Sequence, residues 1–226
     1  MAHTRTIPHG LAFAPIRIGV LIDIDMGTKE DFLATLRLAF EAAYEAGVLS
    51  RPVELVVREA IGLPRLEAIH TVRGFEELAQ SGVLGVIGPL ITDNSIALAR
   101  TIDRYEVPAI TWTGTDRYFG EFCFNLGNGG LAEETAIMAN WIHRHAYQRV
   151  GMIHELSPGG SEYATHFRYY AHRYGLDIVA EAYTTQTPED FESVVAKVRA
   201  ADPDCLAYVG YGYPTILLGS ALKKLA

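Results

Sequence analysis

From Ile16 the chain alternates short aliphatic, β-branched runs with longer segments whose apolar residues recur every three and four positions. These are the periodicities of buried strands and amphipathic helices. The run IRIGVLIDI (16–24) predicts a first strand. Residues 29–46 predict a helix with Phe32, Leu33, Leu36, Ala39, Phe40 and Ala43 on one face and Gly47 as its stop. VELVVREA (53–60) predicts the next strand, and Pro64 opens a helix that runs to about Gln80. VLGVIGP (83–89) and VPAITWT (107–113) predict two more strands with a helix over 94–105 between them. Strands this apolar are covered on both faces, so the sheet is expected to be parallel with helices on each side.

FCFNLGNGG (122–130) is rich in turn-forming residues and marks a change of direction. The rhythm then restarts: helix 131–146, strand RVGMIHE (149–155), loop LSPGG, helix 161–174, strand LDIVAEAYT (176–184), helix 189–200, strand CLAYVGY (205–211) and a last amphipathic piece. The reading is α/β, with two doubly wound parallel-sheet lobes over 16–126 and 127–226.

Composition narrows the function classes. In 226 residues, 49% are hydrophobic and 20% charged, as in an ordinary globular chain. Nineteen Lys and Arg against 27 Asp and Glu give a net charge of −8, which argues against a nucleic-acid partner. Cys123 and Cys205 form no metal or redox motif and read as small buried apolar residues. No apolar run approaches the ~20 residues of a membrane span. The tail MAHTRTIPHGLAFAP lacks the apolar stretch of a signal peptide, so the sequence as it stands reads as cytoplasmic, or as extracytoplasmic if a leader has been removed.

In a doubly wound sheet, ligands sit beyond the carboxyl ends of the strands. There the chain offers Thr92, Asn94, Ser95, Thr113 and Thr115, whose hydroxyls, amide and nearby backbone N–H groups suit a carboxylate or an amide. Asn94 or Ser95 alternatively serves only as a helix N-cap. Asp23 and Asp25 in VLIDIDMGT carry the D-x-D spacing of the nucleophile and acid of haloacid-dehalogenase-type phosphatases. The Lys and the later acidic pair that this chemistry needs are missing from their positions, and a solvated loop-edge pair is the alternative. His143, Arg144 and His145 suit a helix C-terminus, and His154 reads as a packed ring. His166 and His172 fall on different helical faces, and Tyr211 and Tyr213 follow a strand and could line a cleft. No phosphate loop, dinucleotide fingerprint, nucleophile elbow or metal spacing is present, so no cofactor, metal site or catalytic constellation is expected.

The succession VLGVIGPLITDNS, a helix, then YEVPAITWTGTD resembles the first lobe of type I periplasmic binding proteins of the Leu/Ile/Val and amide- or urea-binding group. Further echoes are IRIGVLI, CFNLGNGG, RVGMIHELSPGGSEYATHFR and DPDCLAYVGYGYP, in family order over nearly the whole chain. The resemblance implies a non-enzymatic Venus-flytrap binder of an amino acid, amide or urea-like ligand held between lobes, with closure at 125–130 through Gly127, Gly129 and Gly130. Carried over by position, it assigns Asn94 and Ser95 to one loop, Thr113, Gly114 and Thr115 to the next, and Glu155 and Tyr211 to the other lobe. Gly159 stands where many relatives have Tyr, which puts that aromatic contact in doubt. Family members run longer, so the sequence is expected to be either a fragment or a shortened relative whose second lobe is incomplete, with a homodimer covering an exposed sheet face or edge. The partners implied are the small ligand and either ABC-transporter membrane subunits or, for a cytoplasmic sensor, a regulatory protein.

Overall fold

The computed structural model describes residues 14–25, 27–61, 68–127, 129–212 and 214–225. Cα packing divides them into two units, the first comprising 14–61, 68–111 and 119–125 and the second 112–118 and 126–225. Trp112–Tyr118, which the sequence reading gave to the first lobe, packs with the second unit.

The first unit contains β1 (Ile16–Ile22), α1 (Lys29–Glu45), β2 (Val53–Glu59), α2 (Ala68–Gln80), β3 (Gly85–Ile87), α3 (Thr92–Tyr105), β4 (Ala109–Thr111) and β5 (Cys123–Asn125). All five strands are parallel, in the order β2-β1-β3-β4-β5. Successive strand residues point to opposite faces, and β1 shows how that builds the layers. Val20 and Ile22 pack with Leu33 of α1. Gly19 and Leu21 instead meet α2: a Cβ on Gly19 would lie 3.3 Å from Leu78, and one on Gly74 would lie 2.9 Å from Leu21. The two helices therefore cover opposite faces of the sheet. Of the predicted face of α1, Leu33 is buried, Phe32, Leu36, Phe40 and Ala43 are half-buried, and Ala39 is exposed, because α1 lies towards the edge strand β2.

The second unit contains α4 (Leu131–Arg144), β6 (Arg149–Glu155), α5 (Pro158–Arg173), β7 (Asp177–Thr184), α6 (Phe191–Arg199), β8 (Cys205–Val209) and α7 (Thr215–Leu225). Its strands are parallel in the order β7-β6-β8. The same alternation sorts its helices. Val150 and Met152 join Ala139, Phe167 and Ala171 of α4 and α5, while Ile153 joins Val195, Val198 and Ala221 of α6 and α7.

Differences from the sequence reading have local causes. The runs around β3 and β4 pair over three residues each, because Gly88-Pro89 ends one and Trp112 leaves with the other unit. Residues 123–125, read as part of a turn, form an edge strand on β4. Helix α5 starts at Pro158, inside the segment read as a loop, with Ser157 as N-cap accepting from the Gly160 N–H at 3.0 Å. Among the described residues Cys123 and Cys205 form no disulfide, and both are half-buried, not fully buried. Pro64, Asn128, Tyr213 and most of the N-terminal tail lie outside the described residues.

One carboxylate joins β1 to α3. Asp23, directly after β1 and 0% exposed, accepts from the Leu90 N–H (2.7 Å), the Ile91 N–H (3.2 Å) and Asn94 Nδ2 (2.9 Å). Gly88 makes the approach feasible: it sits at φ +110°, and a Cβ there would strike the Leu21 carbonyl. Asp23→Ala leaves three donors, two of them buried and that of Leu90 part-buried, without their acceptor and is expected to destabilise the protein by about 3 kcal/mol in urea denaturation. Phe167→Ala, in the core of the other unit, should cost about 3–5 kcal/mol by the same assay.

Candidate functional site

The strand order places the site before any residue is considered. In β2-β1-β3-β4-β5 the direction of winding reverses between β1 and β3, and in β7-β6-β8 it reverses at β6. Loops leaving such a switch point diverge to opposite faces and open a crevice beyond the carboxyl ends of the strands.

In the first unit those ends carry Asp23 and the β3–α3 connection. Helix α3 begins at Thr92, two residues before its predicted start, with Ile91 in extended conformation as N-cap and no side-chain cap. The N-cap alternative for Asn94 and Ser95 is thereby corrected. Asn94 points its amide nitrogen at Asp23, and Ser95 Oγ donates to the Ile91 carbonyl at 2.9 Å. Thr92, Asp93, Asn94 and Ser95 are all buried, at 7% exposure or less. Asn94 Oδ1 is buried with no hydrogen-bond partner among the described residues. On β4, Thr111 donates to the Pro89 carbonyl and fixes the loop from the other side.

The aspartate pair divides in this environment. Asp25 is exposed. Burial raises the Asp23 carboxyl above the ordinary carboxylate range, against the pull of its Asn94, Leu90 and Ile91 donors. Both Asp23 oxygens accept hydrogen bonds from the fold itself, so Asp23 acts as an anchor and not as the exposed nucleophile of the D-x-D alternative.

In the second unit, β6 ends at Glu155 and β8 leads through Gly210 to Tyr211. Glu155 is fully buried, and the Tyr208 hydroxyl contacts both its carboxylate and, at 2.9 Å, the Tyr211 carbonyl. Burial, then the adjacent Glu155, pushes the Tyr208 phenol far above its usual range and keeps its proton in place. Gly160 is required here, because a Cβ on it would collide with the Glu155 carbonyl. Beyond β7, Gln186 is 5% exposed and neither end of its amide has a partner among the described residues.

The segment Trp112–Tyr118 brings Thr113, Gly114 and Thr115 to this unit, with both threonines 3% exposed. The Gly114 carbonyl accepts from the Leu131 N–H at 2.8 Å. Thr115 Oγ1 donates to Glu162 Oε2 at 2.6 Å and accepts from the Arg117 N–H at 3.0 Å. Thr92, Asn94 and Ser95 thus share one unit, while Thr113, Gly114, Thr115, Glu155 and Tyr211 share the other. His154 is a packed ring as expected, 5% exposed with Nε2 2.9 Å from Glu181. Sequence reasoning missed Tyr208, Gln186 and Glu162. Tyr208 alternates like any strand residue and Glu162 reads as a helix surface, so neither carried a local signal.

The Periplasmic binding protein family profile matches residues 15–225. No curated protein matches the chain. Among solved structures, the chain is similar to a type 1 periplasmic binding protein of Bordetella pertussis Tohama I (20% identity, TM-score 0.78, covering 94% of this chain and 60% of that one). It is similar to a solute-binding protein of an ABC transporter from Rhodopseudomonas palustris BisB5 in complex with 3,4-dihydroxybenzoic acid (16%, 0.72, 93% and 58%). It is also similar to an ABC-transporter substrate-binding protein of Desulfitobacterium hafniense in complex with Leu (19%, 0.70, 94% and 64%). The chain spans about 60% of the length of these solved proteins. With the family profile covering all but the two ends, and two parallel units wound in the same sense, the chain belongs to the periplasmic binding protein family.

Proposed function

We propose that this chain binds a small polar solute, an amino acid or a related amide or urea-like compound, and does not convert it. The observation that carries the reading is the concentration of buried polar side chains at the carboxyl ends of the switch-point strands, with the Asn94 Oδ1 acceptor still unpartnered among the described residues. A helix N-terminus receives a carboxylate, which assigns that end of the ligand to the start of α3 with Thr92, Asn94 and Ser95. Asn94 Oδ1 suits an N–H of the ligand. Within the second unit, taken by itself, Thr113, Gly114, Thr115, Glu155 and Tyr211 are proposed as solute contacts, with Glu155 suited to an ammonium group. The ligands in the R. palustris and D. hafniense structures, 3,4-dihydroxybenzoic acid and Leu, both bear a carboxylate. In the whole protein, this binding would serve ABC-type uptake outside the cytoplasmic membrane, with delivery to the transporter's membrane subunits.

A ligand that binds only the folded state raises stability by about 2.7 kcal/mol at a hundredfold excess over its Kd. Leucine, aromatic acids and small amides are therefore the first compounds to titrate in a thermal-shift assay. A concentration-dependent rise with a carboxylate-bearing solute is the expected result, and a flat response to all of them in a cooperatively melting protein overturns the proposal.

Thr92→Val and Thr113→Val keep side-chain shape and remove one hydroxyl each. Each is expected to weaken ligand binding by about tenfold or more if the hydroxyl meets a charged group, as read by calorimetry. Unchanged affinity in both variants would remove these residues from the site.

A further inference from the structure

We propose that the second unit holds a divalent transition-metal ion of the Zn²⁺ class on Asp116, Glu162 and His166. Glu162 and His166 are four residues apart on α5 and so share one helical face, with His166 Nε2 3.9 Å from Glu162 Oε1. Asp116 reaches the same place from the segment Trp112–Tyr118, and its own N–H donates to Glu162 Oε1 at 3.0 Å. One carboxylate oxygen from each acid and a ring nitrogen of the histidine all lie within 4.8 Å of one another.

The donor set and its surroundings fit an ion. Bonds of about 2.0–2.2 Å place neighbouring ligands roughly 3–3.6 Å apart, so the three donors must close by about 1 Å. Asp116 is exposed and the His166 side chain is 27% exposed, which leaves both free to turn. Glu162 is fixed: its side chain is 7% exposed, and it accepts from Thr115 Oγ1 and from the Asp116 amide. Outer hydrogen bonds of this kind orient a metal-ligating carboxylate.

Charge supplies the motive. Two carboxylates stand together, one of them largely buried, and among the described residues His166 is the sole ion-pair partner of Glu162, while no Lys or Arg pairs with Asp116. Two adjacent carboxylates, one of them largely buried and with only a histidine beside it, are costly to keep ionised, and a divalent cation neutralises both acids at once. One imidazole with two carboxylates suits Zn²⁺ and its neighbours better than Ca²⁺ or Mg²⁺. Three protein ligands leave a coordination position for water or an anionic group. Spacing rules cannot find such a site, because Asp116 and Glu162 are 46 positions apart.

The test is calorimetric titration of ZnCl₂ into chelator-stripped protein, with the fold followed by circular dichroism. One saturable site per chain is expected, weakened by at least about tenfold in Glu162→Gln and in His166→Ala, and unaffected in the double variant His143→Ala, His145→Ala. Titration of Co²⁺ should give a visible absorption band that His166→Ala abolishes while the fold is retained. The absence of saturable Zn²⁺ binding overturns the proposal, as does a site that survives both Glu162→Gln and His166→Ala or disappears with His143 and His145.

Discussion

The buried Asp23 carboxylate is the constraint on which the first unit's working end depends. It sits where β1 stops and takes hydrogen bonds from two backbone amides of the β3–α3 connection and from Asn94. Helix α3 has no capping side chain of its own, so the entry to that helix is held from a neighbouring strand by a residue 67 positions earlier in the chain. Such an arrangement couples the position of α3 to the sheet and frees the first-turn residues Thr92, Asp93 and Asn94 from capping. What remains at the switch point is a buried, polar corner, where a hydrogen bond is stronger than it would be in water.

The second unit solves the same problem with different chemistry. Glu155 closes β6 much as Asp23 follows β1, but its carboxylate meets a phenol from the adjacent strand in place of loop amides. The Tyr208 hydroxyl ties β6 to the start of the β8 exit through the Tyr211 carbonyl. Each unit thus buries an acidic side chain at the carboxyl end of a switch-point strand, Asp23 just beyond β1 and Glu155 at the end of β6.

The strands and helices were legible because their burial is periodic. β6 and β2 begin and end within a residue of their apolar runs, and α1 ends one residue short of its predicted span. The periods fail where burial is set by something remote. β5 is three residues at a sheet edge, recruited by pairing and not by its own pattern. Helix α3 starts early because Asp23 satisfies the amides before it, an event invisible in the local sequence around Thr92. Pro158 was readable as a helix start, since Ser157 precedes it as an N-cap, yet the two following glycines made the segment look like a loop. For the candidate site, positions after strands were legible but orientations were not. Asn94 turned towards Asp23, and Thr115 turned towards a glutamate 47 positions away.

The alternation of β1 and β6 between helical layers carries a historical consequence. Alternate residues of these strands are committed to opposite helical layers, so inserting or deleting one residue would hand every side chain beyond it to the wrong layer. Changes of chain length must therefore accumulate in the segments beyond the strand ends. Those are the segments that carry the polar groups at the switch points. A fold built this way keeps its layers while its sequence diverges, in keeping with TM-scores of 0.70–0.78 at only 16–20% identity.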